Sequence, residues 1–421
     1  MTISSAPSIT LAEPVLRWSA RAHSIADIEK ELARIWAHQD LTVADVSGEG
    51  APGRHIAART SVMNLVVIAR RPEIAERAAS TIQALTGRHP SRTIVVQSAD
   101  PDGPSWIDAQ VEAHCVLPRA DAPEICAETI QLTAGGEAGR HLSAIVMPLI
   151  VHDLPTTVWW PGEPPFASRA AQDLLASADR LVVDGSSWGG DGLIRLREMA
   201  SLLDTSRLAV SDFALVRQSR WREAIASIFD DPDFLPFLRS LRRIAVTYAT
   251  HDESGAPGST NIVKPLYHVA WLASRLGLQV VKPLTTLTGP ASATAASARG
   301  RLAPGARPVI GRGAAATLSD GKSEVAVVVR PVVSTLPAGT TLRVELLAER
   351  RGSELRADVT AEADSVHVHV WWDGVAALDR SFLAARRADV DLLAEAIEAG
   401  RRDRVTIGTL AAAAALIGPG A

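Results

Sequence analysis

Apolar residues recur along this chain with two different periods, and the change of period organises it. Ser24-Ile25-Ala26-Asp27 has the form of a capping box with Asp in the last place, and Ile25, Ile28, Leu32 and Ile35 then follow helical spacing. Residues 62–69 are apolar and β-branched, which predicts a buried strand. Pro72 suits a first helical turn, and Ile74, Ala78, Ile82 and Leu85 form one helical face. Gly87 and Pro90 then end the helix before a second strand at 92–97. Two strands joined by a crossover helix predict parallel pairing. Over 107–117 the pattern alternates instead. Ile107, Ala109, Val111, Ala113, Cys115 and Leu117 face one way, and Asp108, Gln110, Glu112 and His114 the other. A half-wet strand of that kind belongs at an edge or in an antiparallel pair. Further strands are expected at 124–132, 156–160, 180–184, within 208–216, and at 244–249 and 278–281. Helices are expected around 142–149 and at 170–178, 193–203, 221–229, 233–242 and 265–276. This alternation predicts an α/β domain, with a mainly parallel mixed sheet and flanking helices.

Residues 289–308 are rich in Ala, Ser, Gly, Pro and Arg and have little periodicity, as in a linker. Beyond them 324–330, 342–348, 354–360 and 365–372 alternate or are β-branched, which predicts an antiparallel meander. Helical patterns at 384–399 and 405–417 complete a smaller α+β domain. The expected organisation is a flexible N-terminus (1–20), an α/β domain (21–288), a linker (289–308) and a C-terminal α+β domain (309–421).

A length of 421 residues accommodates two or three domains. A net charge of −4, with 21% charged residues, lacks the basic surplus of a nucleic-acid binder. The longest apolar stretch, 410–417, falls well short of the roughly 20 residues that span a bilayer. Residues 1–13 lack the basic start and apolar run of a secretion signal. Two cysteines, Cys115 and Cys126, make no disulfide framework in a chain of this size, so a reducing, cytoplasmic setting is expected. Ten Trp against two Tyr is unusual. In the pairs Trp159-Trp160 and Trp371-Trp372 adjacent strand residues face opposite sides, so one indole of each pair is expected to point outward.

Candidate chemistry is sparse. Gly48-Glu49-Gly50-Ala51-Pro52-Gly53 matches GxGxxG but leads into a strand rather than a helix, and Pro52 lacks an amide donor, so it reads as a turn. Between a helix and a strand, the run Gly87-Arg88-His89-Pro90-Ser91-Arg92 offers Arg88 and Arg92 to a phosphate or carboxylate. Basic residues complementing a helix C-terminus explain it as well. The loop at 184–191 follows a strand and precedes a helix, so its amides with Ser186 and Ser187 suit an anion, and Asp184 a sugar hydroxyl. A plain βα loop is the alternative. Trp159, Trp160, Pro161, Pro164 and Pro165 form a rigid segment suited to partner docking or to tight turn packing. His367 and His369 share a strand face without a third ligand nearby, which favours a solvated face over a metal site. No nucleophile elbow, P-loop or zinc spacing is present. No catalytic residue, metal or cofactor is assigned.

Several ordered blocks resemble one family. They are Arg59-Thr60-Ser61-Val62-Met63-Asn64-Leu65-Val66-Val67, Leu85-Thr86-Gly87-Arg88-His89-Pro90-Ser91-Arg92-Thr93, Pro148-Leu149 with Asp153-Leu154-Pro155, Trp159-Trp160-Pro161-Gly162-Glu163-Pro164-Pro165, and Ala178-Asp179-Arg180-Leu181-Val182-Val183-Asp184. Together they resemble the OpcA family of glucose-6-phosphate dehydrogenase assembly proteins over roughly residues 55–285. The resemblance implies a non-catalytic partner that assembles or allosterically activates glucose-6-phosphate dehydrogenase in the oxidative pentose phosphate pathway. A sugar phosphate is a possible small ligand, and no nucleic acid or membrane partner is implied. In cyanobacterial members, cysteines toward the C-terminal end connect the effect to thioredoxin. Here no Cys follows Cys126, which argues against that form of control. The competing expectation is a sugar-phosphate- or nucleotide-binding sensor or enzyme with its site at residues 184–191.

Overall fold

The computed structural model describes residues 15–37, 44–45, 54–55, 57–100, 102–116, 124–254, 256, 258–287, 307–308, 313–362, 364–400 and 403–418. The Gly-rich turn at 48–53, residues 1–14 and almost all of the expected linker lie outside them. The chain folds as two compact units, Met1–Val182 with Asp389–Glu398, and Val183–Ala388 with Ala399–Ala421.

The first unit is built on strands β1 (Val15–Ala22), β4 (Ala57–Arg59), β5 (Met63–Ala69), β6 (Ser91–Ser98), β7 (Trp106–Val116), β8 (Glu124–Gly135), β9 (Thr156–Trp160) and β10 (Arg180–Val183). Two short strands, β2 (Ala44–Asp45) and β3 (Arg54–His55), form a separate ladder. The sheet runs β1-β7-β8-β6-β5-β9-β10, with β4 beside β8. β5, β6, β8 and β9 are parallel, as the crossover helix Pro72–Leu85 requires, while β7 is antiparallel to both β1 and β8. All of β5 is buried, which is why it is apolar from Leu65 to Ala69, and its one polar residue, Asn64, donates to the Val151 carbonyl at 2.9 Å. Ser24 starts the helix Ile25–Ala37 as expected. Its Oγ accepts from the Asp27 amide at 3.1 Å and donates to the Asp27 carboxylate at 2.7 Å.

Two expectations change here. Residues 15–20, expected in a flexible lead, belong to β1, because their backbone completes the otherwise open edge of β7. Cys115 and Cys126, expected as free thiols, form a disulfide. The β7–β8 register sets them directly opposite each other, with Cα atoms 4.1 Å apart.

The second unit holds β11 (Ala209–Asp212), β12 (Leu241–Thr250), β13 (Gln279–Thr286), β14 (Arg307–Pro308), β15 (Ala314–Ser319), β16 (Glu324–Val333), β17 (Thr341–Arg350), β18 (Ser353–Glu362), β19 (Ser365–Trp372) and β20 (Val375–Leu383). Its large sheet has the order β13-β15-β16-β12-β17-β18-β19-β20, with β14 against β16. The meander β17 to β20 is antiparallel throughout, and β12 joins β16 in parallel. The unit division therefore differs from the domain boundary expected at 289–308. Ile244, Val246 and Tyr248 of β12 bury themselves between strands that come from beyond the expected linker. Local composition marks a loop but does not say which strands will pair across it. One sheet face is apolar, with Val327, Ile244, Val344, Val359 and Val368 at its centre, all nearly or wholly removed from solvent. The helices Ser219–Ile228, Val263–Leu276 and Arg404–Ile417 pack on this sheet.

Candidate functional site

The loop after β10 is the strand-end position that the sequence points to, and its polar groups are closely tied together. Asp184 caps a short turn, Gly185–Ser187. Its carboxylate accepts from the Ser186 amide at 3.2 Å and from the Ser186 hydroxyl at 2.5 Å. The Ser187 hydroxyl donates to the Asp184 carbonyl at 2.8 Å. Arg217 donates to both carboxylate oxygens of Asp184 at 2.8 Å.

Beneath the loop lies Asp212, which ends β11 and caps the helical turn Phe213–Val216. One of its oxygens accepts from the amides of Ala214, at 2.8 Å, and Gly185, at 2.9 Å. The other accepts from the Tyr267 hydroxyl at 2.6 Å. Burial, and then the neighbouring Asp184 charge, push the Asp212 carboxyl up to about 6, against the pull of its three donors. The same surroundings hold the Tyr267 phenol well above its ordinary value. Gly185 is required by close approach, since a Cβ there would sit 2.5 Å from an Asp212 oxygen and 2.9 Å from Val263. Asn261 donates to the carbonyls of Gly185, at 2.9 Å, and Trp188, at 3.0 Å. It also accepts from the Val263 amide at 3.0 Å, fastening the loop to the start of the helix Val263–Leu276. The Lys264 ammonium beside this cluster is lowered from its ordinary value, first by burial and then by the Arg217 charge.

The expected site residues Asp184, Ser186 and Ser187 are thus brought together, but their hydrogen-bonding groups hold the loop itself. Asp212, Arg217, Asn261 and Tyr267 were not foreseen. The signal for Asp212 was an Asp at the end of a short apolar run, ahead of a helical turn.

In the first unit Arg88 and Arg92 do not converge on one anion. Arg88 is exposed and forks onto Glu398 at 2.8 and 2.9 Å, where His89 also meets the carboxylate at 2.9 Å. Arg92 is buried, donating to Glu128 at 2.6 Å and to the Leu149 carbonyl at 3.1 Å, and Trp36 donates to the same Glu128. Neither indole of the pair Trp159 and Trp160 points outward: both are buried, at 1% and 2% exposure, because β9 lies inside the sheet with both of its faces covered. Pro161 and Pro164 are buried as well, and Pro165 is half-buried.

In the second unit Trp372 packs edge-on against Phe234 and Phe237, while Trp371 lies under the Arg356 guanidinium. His367 and His369 stack with ring centres 6.4 Å apart, their nitrogens facing Ser365, Ser381 and Asp379. Among the described residues no group of three or more His, Cys, Asp or Glu is placed to hold a metal. No helix among them is long and apolar enough to cross a membrane.

Two family models match in order, both described under the words "Glucose-6-phosphate dehydrogenase subunit": the N-terminal domain of that family over residues 63–200, and its companion C-terminal domain over residues 208–406. An "OxPP cycle protein OpcA" from Synechocystis sp. is 28% identical over 171 residues, 40% of this chain and 34% of the relative. The chain thus spans about a third of that relative's length. Among solved structures, a 3-ketoreductase from Actinomadura kijaniata is 11% identical with a TM-score of 0.42, covering 84% of this chain and 95% of that one. An oxidoreductase from Sinorhizobium meliloti is 11% identical with a TM-score of 0.44, with the same coverage of 84% and 95%. Similarity this loose lends no activity.

Proposed function

Because this chain belongs to the family of glucose-6-phosphate dehydrogenase subunits, the OpcA assembly proteins, we propose that it is a non-catalytic partner that binds and activates glucose-6-phosphate dehydrogenase. The observation that carries this reading is the pair of family matches, in order, over residues 63–200 and 208–406. The hydrogen bonding at residues 184–191 supports it, since groups that a substrate would use instead hold the loop to Arg217 and Asn261. Activation requires the chain to bind one state of the dehydrogenase more tightly than another, because only differential affinity shifts an equilibrium. Such a partner works in the cytoplasm with its enzyme. The test is dehydrogenase kinetics with and without the purified chain, together with co-elution on a sizing column. Co-elution with a lowered KM or raised kcat is expected. Separate elution with unchanged kinetics would reject the proposal.

A second reading takes the half-buried cations Arg217 and Lys264 beside the loop as a subsite for a sugar phosphate. Thermal shift with glucose 6-phosphate, repeated on Ser186→Ala, tests it. A rise in Tm that the variant loses would favour a metabolite-sensing role.

A further inference from the structure

The cluster around Asp184 closes on itself, but one cation beside it stays outside. Lys264 is the second residue of the helix Val263–Leu276, whose start Asn261 fastens to the loop. Gln218, the neighbour of Arg217 in the chain, donates to the Lys264 carbonyl at 2.6 Å, so Arg217 and Lys264 flank the same loop. One Nη of Arg217 reaches both oxygens of Asp184 and, at 3.3 Å, the Ser186 hydroxyl. The Lys264 ammonium is half-buried and makes no hydrogen bond or ion pair among the described residues. Burial comes first in lowering its pKa. Of the charged groups in the second unit, Arg217 and Arg386 lower it further, while Asp184 and Asp212 raise it. Arg386, exposed in the segment after β20, likewise has no ion pair among the described residues. Three positive charges therefore gather at two carboxylates that already have partners, Asp184 in Arg217 and Ser186, Asp212 in Tyr267 and two amides.

Nothing in the fold calls for a lysine at this point. The amides of a helix start carry partial positive charge and favour an acid in the first turn, yet this helix has no acid there and holds Lys264 instead. A methionine of similar length would fill the space without drawing a charge out of water. We propose that Lys264 anchors the phosphate group of a small ligand, with Arg386 and Arg217 completing the seat. The inference rests on the second reading above and adds to it the group recognised and the residue that holds it. Charge selects the ligand. A phosphate monoester, close to a dianion at neutral pH, offsets Lys264 and Arg386, which the two carboxylates leave unbonded, and it lies at the positive end of the helix. A divalent cation would meet three like charges, and a neutral sugar would leave the ammonium without a counter-charge. The same phosphate can arrive free or on a sugar, and the two differ in whether anything beyond the phosphate is bound.

The experiment is a calorimetric titration of the full chain with glucose 6-phosphate, inorganic phosphate and glucose. Lys264→Met removes the anchor, and Arg386→Gln removes an exposed cation of the seat. Lys322→Met removes a lysine from the exposed turn between β15 and β16 as a control. Glucose 6-phosphate is expected to bind wild type and Lys322→Met alike. Its affinity should fall about tenfold or more in Lys264→Met and several-fold in Arg386→Gln, and glucose should not bind. Without ligand, Lys264→Met should melt at the wild-type temperature or above it. If both seat variants bind glucose 6-phosphate as wild type does, the seat is overturned and the second reading stands. If inorganic phosphate binds as tightly as the sugar phosphate, and only with Lys264 in place, the anchor stands and the second reading falls. A wild type that binds neither rejects both. A lower melting temperature for Lys264→Met, with Arg386→Gln binding as wild type does, means that the fold itself keeps the lysine and also overturns the seat. Should Lys264→Met fail to fold, Arg386→Gln at its exposed position still decides.

Discussion

The second unit contains two dense polar clusters that differ in what their charges are bound to. Around Asp184 and Asp212 the carboxylates bond to backbone amides, a serine, a tyrosine and one arginine, so the cluster closes on itself and fixes a loop. On the sheet, Glu345 and Asp358 bond only to arginines, and the guanidinium Nε groups of Arg243, Arg343 and Arg356 remain without acceptors. A cluster anchored to backbone positions structure. A cluster of buried side chains bonded only to one another ties strands together. The strand-end loop is the usual ligand position in an open α/β sheet, yet here its carboxylates are taken up by the loop itself.

The contrast breaks first where charge is buried. Glu345→Gln removes the negative charge shared by Arg243 and Arg343, turns one acceptor oxygen into a donor, and leaves those guanidinium groups short of a counter-charge in a dry centre. A loss of about 3–5 kcal/mol is expected in urea unfolding. A loss within about 1 kcal/mol, the range of an exposed ion pair, would mean that the network is solvated. Gly185→Ala tests the closed cluster. Its Cβ has no room between Asp212 and Val263, so about 2 kcal/mol of destabilisation is expected. A neutral result would show that the loop relaxes freely.

Acidity sharpens the comparison further, because two buried groups at the helix Val263–Leu276 act in opposite directions. Asp212, which meets this helix at Tyr267, has a folded pKa raised to about 6 from 3.8. Its contribution is fully present below the unfolded value and is lost as pH rises through about 6. Buried His268 is lowered from 6.5 to about 3, first by burial and then by the Arg222 charge. Its contribution is present above 6.5 and is lost as pH falls toward about 3. Between about pH 4 and 6 the two effects largely cancel, each on the order of 1.4 kcal/mol per pH unit. Asp212→Asn should therefore expose a steeper loss of stability on acidification than wild type, and His268→Gln a gain. Parallel pH profiles for all three proteins would contradict this account.

What the sequence disclosed follows from how local each cause is. The capped helix at Ser24, the helix Pro72–Leu85 between parallel strands, and the alternation of β16 to β19 are all set by neighbours in the chain, and all appear where expected. β20 lies beyond the expected meander, although Asp373-Gly374 is a hairpin dipeptide: both residues take positive φ, 49° and 78°, in a two-residue turn between Trp372 and Val375. The place of β12 amid the meander, the facing of Cys115 and Cys126, and the burial of both Trp159 and Trp160 depend on partners distant in sequence, which no local pattern encodes. The same holds for the candidate sites. Asp184 and its serines were legible as a strand-end loop, whereas Arg217, Asn261 and Tyr267 reach it only through the fold. On the sheet, alternating Arg343 and Glu345 signal a polar face, but only the register sets Glu345 opposite Asp358, with Arg343 between them.

The smallest expected effect separates two arginines four residues apart that the sequence had grouped as one anion site. Arg88 lies half in solvent, and its fork onto Glu398 is shared with His89. An exposed pair of that kind is screened by water and salt, so Arg88→Gln should change stability by about 0.5 kcal/mol and hardly at all in high salt. Arg92 differs because its partner Glu128 is wholly buried, so the same substitution there strands a carboxylate away from water. The two substitutions, measured side by side in urea, should differ several-fold. If they match, the hydrogen bond from Trp36 suffices to hold Glu128. That outcome would show that a buried carboxylate in the first unit can do without its cation, unlike Asp358 and Glu345 in the second.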